Sequence, residues 1–128
     1  MAAAAAQSLY HRLGGYDAIA AATDELLSRL QGDPRLRDYW KGASTNNQRK
    51  ARQLIVDFMV EAAGGPAFYT GRDMKTSHAG MHIDPSDWAA FMRHAADTLD
   101  HLGVTSPERD EVLAFLISLE ADVVERRT

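Results

Sequence analysis

The sequence contains no cysteine among its 128 residues. This absence excludes disulfide frameworks, thiolate zinc sites, iron–sulfur clusters and cysteine nucleophiles. No run of about 18 apolar residues occurs either, so we expect no helix that spans a membrane. Residues 1–8 are rich in alanine but lack the basic segment and the long apolar run of a signal peptide. We therefore expect a cytoplasmic protein that makes no contact with a membrane.

Positive charge is also scarce, because 14 lysines and arginines face 18 aspartates and glutamates, for a net charge of -4. Binding to DNA or RNA phosphates needs a basic face, so nucleic acid is not an expected partner. The length suits one domain with a core large enough to enclose a ligand. We expect a single domain over residues 1–128, with residues 1–7 as a disordered extension, in a monomer or a weak dimer.

Alternation of apolar and polar residues with period two is absent, so the sequence predicts no strand and an all-α fold. Apolar residues recur instead every three or four positions. This spacing predicts short helices over residues 9–13 and 34–40, and further helices that begin at about residues 17, 47, 85 and 108; three helices are expected to be long and two or three short. Asp17 and Asp84 are expected to cap two of them. The last helix is expected to continue through Val123.

An irregular stretch of about twenty residues, 64–83, interrupts this helical pattern. A long irregular segment inside a compact domain is often functional. It contains His78 and His82, which are four positions apart, as are two metal ligands on one helical face. Zinc would need a third ligand, such as Asp84 or Asp87. Gly80 lies between the two histidines and argues against one helix, so the zinc interpretation is weak.

His78 alone permits a different interpretation, because a single neutral imidazole can ligate haem iron. Such a histidine usually donates its second ring N–H to a backbone carbonyl, and the carbonyl of Met74 lies one helical turn earlier. The alternative is a histidine on a surface loop, which the spacing alone favours. An apolar stripe with Ile55 and Phe58 fits a plain core as well as a haem slot. The other histidines, His11, His94 and His101, are expected to face solvent.

Four landmarks occur together in a characteristic order. They are Leu-Tyr-His-Arg-Leu-Gly-Gly at residues 9–15, Gly-Gly-Pro at 64–66, Tyr-Thr-Gly at 69–71, and Met-Lys-Thr-Ser-His at 74–78. With Gly80 and Ile83 behind them, they resemble the group I truncated haemoglobins over roughly residues 8–125. The resemblance implies a globin-like two-over-two helical sandwich that encloses haem b. It also reverses the interpretation of His78, which becomes the expected proximal iron ligand.

The resemblance further implies which other residues contact the cofactor. Tyr69 and Lys75 are expected near the haem propionates, and Trp40 stands where the family usually has a phenylalanine. The expected haem contacts are Trp40, Leu54, Phe58, Tyr69, Met74, Lys75, Ile83, Trp88, Phe91, Phe115 and Leu119.

The distal side departs from the family pattern. Leu27 stands where the family commonly has a tyrosine that donates a hydrogen bond to bound oxygen. Ile55 and Ala51 stand at positions that commonly hold glutamine. Because the segment before Gly64 is about three residues longer than in close relatives, Gln48 or Arg52 is expected as a substitute donor.

Three functions remain open at this point. The first is reversible binding of O2 or another diatomic ligand, CO or NO, in an unusually apolar pocket. The second is an enzyme on the same scaffold, an NO dioxygenase supplied by a reductase, or a peroxidase-like protein. The third is a haem-free helical interaction module or a zinc protein.

Overall fold

The computed structural model describes residues 7–125. Within this range it contains seven α-helices, one 3₁₀ helix and no strand, which confirms the all-α class. The elements are α1 (Leu9–Leu13), α2 (Tyr16–Gly32), the 3₁₀ helix (Arg37–Trp40), α3 (Thr45–Ala62), α4 (Met74–His78), α5 (Pro85–His101), α6 (Glu108–Ile117) and α7 (Glu120–Val123). None of the described helices is long and apolar enough to cross a membrane. Residues 1–6, which make up most of the expected disordered extension, lie outside the described residues.

Local capping bonds explain where α3 and α5 begin. Asp84 accepts the backbone N–H of Asp87 at 2.8 Å while Asp87 accepts that of Asp84, and Pro85 opens α5 as predicted. Ser44 Oγ accepts the N–H of Asn47 at 3.0 Å, so α3 begins slightly before its expected start. The expected cap at Asp17 is wrong, because α2 already begins after Gly15 and Asp17 lies in its first turn.

The last predicted helix is divided in two. Ser118 Oγ donates to the carbonyl of Phe115 at 2.5 Å, and α6 ends one residue before this serine. A serine that bonds its own backbone in this way competes with continuation of the helix. The chain resumes at Glu120 as the short α7, and α7 packs against α4. The break therefore places α7 beside α4, the helix that contains His78.

The long helices form two layers of two. Helix α2 packs against both α3 and α5, and α5 packs against α6. The α2–α3 pair buries Ile19 and Ala20 against Val56 and Val60, and neither valine is exposed to solvent. The α5–α6 pair has its own buried cluster, which consists of Ala95, Leu99, Val112 and Leu116. This arrangement confirms the predicted two-over-two sandwich.

A glycine permits the close approach of α1 to the end of α3. A Cβ added at Gly65 would lie 2.4 Å from a ring carbon of Tyr10 and 2.7 Å from a methyl group of Val60. The backbone N–H of Tyr10 donates to the carbonyl of Ala63 at 2.8 Å across the same contact. Gly65 therefore allows the Tyr10 ring to pack directly on the backbone that follows α3.

Candidate functional site

A cavity of about 660 Å³ lies between the two helical layers. Its volume falls in the range of roughly 300–1,000 Å³ that is usual for ligand sites. Most of the residues around it are aliphatic or aromatic. Residues that the sequence analysis assigned to the site and that line this cavity are Leu27, Trp40, Ala51, Leu54, Ile55, Phe58, Tyr69, Met74, His78, Ile83, Trp88, Phe91, Phe115 and Leu119. Lys75, Gln48 and Arg52 are not among the residues that line it.

His78 is the last residue of the five-residue helix α4 and is partly buried at the cavity wall. Its Nδ1 lies 2.8 Å from the carbonyl oxygen of Met74, as predicted. Ser77 Oγ donates to the same carbonyl at 3.1 Å and lies 3.0 Å from Nδ1. Since a carbonyl can only accept, Nδ1 carries the proton, and Nε2 of the neutral ring keeps its lone pair. This is the tautomer that an iron ligand needs.

Other polar side chains around the cavity already have partners within the protein. The hydroxyl of Tyr39 donates to Asp87 Oδ2 at 2.8 Å. Thr23 and Thr98 each donate to a backbone carbonyl one turn earlier in their own helix, at 2.9 and 2.8 Å. The hydroxyl of Tyr69 donates to the carbonyl of Arg72. These bonds leave the cavity surface apolar in character although polar residues contribute to it.

Aromatic side chains shape the space near α3 and α6. The ring of Phe58 meets that of Tyr69 edge-on, with 5.2 Å between centroids, and lies 5.8 Å from that of Phe115. On α5, the rings of Trp88 and Phe91 lie 5.1 Å apart with a tilt of 35°. Such rings give a rigid apolar lining, which suits a flat organic group.

The α2–α3 side of the cavity carries Leu27, Ala51 and Ile55, none of which can donate a hydrogen bond from its side chain. Gln48 and Arg52 do not replace them. Gln48 Nε2 donates to the carbonyl of Ala43 at 3.1 Å.

Arg52 Nε and Nη2 donate to the two carboxylate oxygens of Asp24 at 2.8 and 2.9 Å. This bidentate pair lowers the pKa of Asp24 and raises that of Arg52, chiefly through the side-chain hydrogen bonds. The pair and Gln48 line a separate pocket to which Leu27 also contributes. Gln48 and Arg52, expected as substitute donors, are thus both bonded outside the cavity in this structure.

Two expectations concern the other histidines: a zinc site that includes His82, and a solvent-facing His94. Among residues 7–125, no group of three or more histidines, aspartates and glutamates could hold a metal ion, so the zinc interpretation of His78 and His82 receives no support. The expectation that His94 faces solvent is wrong, since its Nε2 lies 2.7 Å from Asp33 Oδ2 and its side chain is 19% exposed. No local pattern could predict this pair, because its members are 61 positions apart.

A two-over-two sandwich of α-helices around an apolar slot with one hydrogen-bonded histidine defines the class of small globins. Residues 8–125 match the bacterial-like globin family. The chain belongs to this family, among its group 1 truncated haemoglobins.

Three comparisons show the extent of the likeness. The chain is 32% identical over 116 residues to the group 1 truncated hemoglobin GlbN of Mycolicibacterium paratuberculosis, covering 91% of this chain and 83% of the relative. The truncated hemoglobin of Tetrahymena pyriformis, in its Fe(III) form, superposes with a TM-score of 0.81 at 29% identity, covering 94% of this chain and all of that one. The 2/2 hemoglobin from Synechococcus sp. PCC 7002, solved in the cyanomet state with covalently attached heme, gives a TM-score of 0.83 at 27% identity, with coverage of 94% and 100%.

Membership of this family makes the protein a haem b protein that binds diatomic ligands. The residues of this chain fit that cofactor. The slot is large and lined mainly by apolar and aromatic side chains, and His78 offers an imidazole nitrogen at its edge. Haem iron is commonly held by a single histidine in globins.

Proposed function

We propose that the protein reversibly binds O2, CO or NO at the iron of a haem that is held by His78. The contact between His78 Nδ1 and the Met74 carbonyl carries this proposal. It fixes the ring in the tautomer that leaves Nε2 free to ligate, and a backbone acceptor makes that nitrogen a better donor to a metal. Haem supplies an iron whose remaining coordination position accepts a small gas.

The apolar and aromatic residues of the cavity would hold the porphyrin. We propose that Leu54, Phe58 and Phe115 contact it from α3 and α6 and Trp40 from the 3₁₀ helix, with Tyr69 at its edge. Met74, Ile83, Trp88, Phe91 and Leu119 would pack on the side of His78. Lys75 stands apart from this set because it does not line the cavity and its side chain is exposed, so we assign it at most to the cavity rim.

The ligand side is proposed to be the wall of Leu27, Ala51 and Ile55. A polarised O2 molecule gains about 1–3 kcal/mol from a hydrogen-bond donor that faces it. Because none of these three side chains can donate, we propose that O2 dissociates quickly and that apolar CO is relatively favoured. This property distinguishes the pocket from the usual family pattern in which a tyrosine and a glutamine face the ligand.

Enzymatic activity as an NO dioxygenase or a peroxidase is less well supported. NO dioxygenation requires long-lived O2 binding and a reductase, and a peroxidase also benefits from a polar distal group. Gln48 and Arg52, which could have supplied such a group, bond to Ala43 and Asp24 instead. Ligand binding without turnover is therefore the function that the geometry favours.

Absorption spectra of the ferric, ferrous and CO-bound protein test this proposal. We expect a five-coordinate ferrous spectrum that changes to a six-coordinate one when CO is added. A ferrous protein that is six-coordinate without added ligand would contradict the proposal that one coordination position of the iron is free for a gas. Nitrate formed from NO by the oxygenated protein faster than by free haem would support the enzyme instead.

A further inference from the structure

Glu125 is bonded to the turn that follows His78. Its Oε2 accepts the backbone N–H of Gly80 at 3.0 Å, and its Oε1 accepts that of His82 at 2.7 Å. Its own N–H donates to the carbonyl of Ile83 at 2.9 Å. One residue near the end of the chain thus makes three hydrogen bonds to the segment directly after the proposed iron ligand.

The bonded turn has an unusual backbone. Gly80 has a φ of +85°, and His82 has a φ of +57°, in the left-handed region that residues other than glycine rarely adopt. Helix α4 is only five residues long and ends where this turn begins. A short helix has few internal bonds to hold it, so its position depends on what fixes its ends. A strained conformation persists only where its surroundings determine it.

Apolar packing brings Glu125 to this place. Val123 and Val124 are 6% and 4% exposed and pack in one cluster with Ile83 and Trp88. Ile83, Trp88 and Val123 also line the cavity. The end of α7, the turn after His78 and the cavity wall are therefore one packed unit, and α7 packs directly against α4.

We propose that Glu125 is a positioning residue for His78, whose carboxylate fixes the turn over residues 79–83 and thereby the orientation of the imidazole toward the haem. This inference rests on the proposed function, because it requires that His78 ligates iron. The strength of an iron–histidine bond depends on how the protein orients and supports the ligand. Glu125 would support His78 through the backbone of the turn. Among the described residues, no hydrogen bond joins its carboxylate to the imidazole.

The ionised carboxylate suits this role. It accepts two N–H groups with two oxygens, and these backbone bonds are the main reason that the pKa of Glu125 is lowered. A glutamine at the same place has the same shape but only one oxygen. It can accept one of the two N–H groups. E125Q therefore removes one hydrogen bond and keeps the packing of the side chain.

The test compares holoprotein variants by two measurements on the haem, with backbone amide exchange in the turn over residues 79–83 as a third. E125A removes both side-chain bonds, E125Q removes one, and D122N removes a negative charge from an exposed neighbour on α7. The first measurement is the iron–histidine stretching band of the ferrous protein by resonance Raman spectroscopy. The second is the rate of haem transfer to excess apomyoglobin.

We expect the band to shift in E125A, to shift less in E125Q, and to stay in place in D122N. Haem loss should be about tenfold faster in E125A, since a hydrogen bond to a charged group contributes enough to change a rate by that factor. Amide exchange at Gly80 and His82 should increase in parallel.

Two results would overturn the inference. The first is an unshifted band and an unchanged rate of haem loss in both Glu125 variants. The second is faster amide exchange with an unshifted band, which would mean that Glu125 holds the turn but not the ligand. If E125A fails to fold, E125Q decides alone. A wild-type protein without any iron–histidine band would instead contradict the proposed role of His78, and that failure is recognisable before a variant is made.

Discussion

The Nδ1 atom of His78 lies 2.8 Å from the carbonyl oxygen of Met74, four residues earlier in α4. Both partners belong to one five-residue helix, so the bond that selects the tautomer needs no distant group. Ser77 Oγ adds a second contact to each of them. The tautomer that leaves the Nε2 lone pair free is therefore set by local structure, whereas the orientation of α4 as a whole depends on the packing around it.

Replacing His78 by glycine should remove the proposed iron ligand. The ferrous spectrum of His78→Gly is expected to lose its histidine-ligated form and to regain it when imidazole is added, because the small molecule can occupy the vacated space. His82→Gly is the matched control, since glycine accepts the φ of +57° at that position. An unchanged spectrum in His78→Gly would contradict the assignment, as would loss of haem ligation in His82→Gly.

A tyrosine at position 27 should restore a donor to the distal wall. We expect O2 dissociation from Leu27→Tyr to slow by roughly 5- to 150-fold, which corresponds to about 1–3 kcal/mol for one hydrogen bond to a polarised ligand. CO dissociation should change far less. Leu27→Phe controls for the size of the ring, and both rates are measured by stopped-flow displacement. Equal O2 dissociation rates in the two variants would contradict the proposal that O2 leaves quickly because the wall has no hydrogen-bond donor.

Removal of the Arg52 guanidinium should leave ligand binding unchanged. Arg52 pairs with Asp24 outside the cavity, so Arg52→Met is expected to alter O2 dissociation by no more than about twofold, the range of an ordinary surface substitution. Asp24→Asn, which leaves Arg52 unpaired, serves as its partner variant. If O2 dissociated much more slowly from Asp24→Asn alone, Arg52 would be able to turn toward the ligand once released.

Gly65 should tolerate no side chain. A methyl group there would lie 2.4 Å from the Tyr10 ring, so Gly65→Ala is expected to destabilise the fold by about 1–3 kcal/mol, as overpacking of a tight contact does. Gly32→Ala is the control, because nothing lies within 4 Å of its added Cβ. Urea unfolding of both variants measures the difference. Equal stability of the two would mean that Tyr10 moves aside at little cost.

The Asp33–His94 pair should make the unfolding free energy depend on pH in the acidic range. The pKa of Asp33 is lowered chiefly by the side-chain hydrogen bond from His94. The hydrogen bond from the backbone N–H of Arg35 is the second cause. A carboxyl whose pKa is lower in the folded state stabilises the fold above its unfolded pKa of about 4, and this contribution disappears as the pH falls through the folded pKa. Wild type should therefore exceed Asp33→Asn in unfolding free energy at neutral pH, and the difference should shrink as the pH falls below the unfolded pKa and through the lower pKa of the folded state.

Urea unfolding of the two proteins at a series of pH values measures this difference. Other carboxyls with lowered pKa values, among them Asp24 and Glu111, titrate in both proteins and cancel in the comparison. A difference that stays constant with pH would mean that Asp33 acts through packing alone.

Much of the fold could be read from the sequence because its signals are local. Helix starts such as Ser44 and Asp84 depend on hydrogen bonds that reach three residues along the chain. The contact of His78 with Met74 depends on the spacing of one helical turn. The order of the glycine, tyrosine and histidine landmarks then identified the family and the cofactor.

Only the tertiary structure decided which side chains share the cavity. It turned Arg52 outward to Asp24, 28 positions away, and paired His94 with Asp33, 61 positions away. It also brought Glu125 to the turn after His78, across more than forty residues. The physical reason is that spacing along a helix fixes which residues share a face, whereas the partner of that face is chosen by the packing of separate helices.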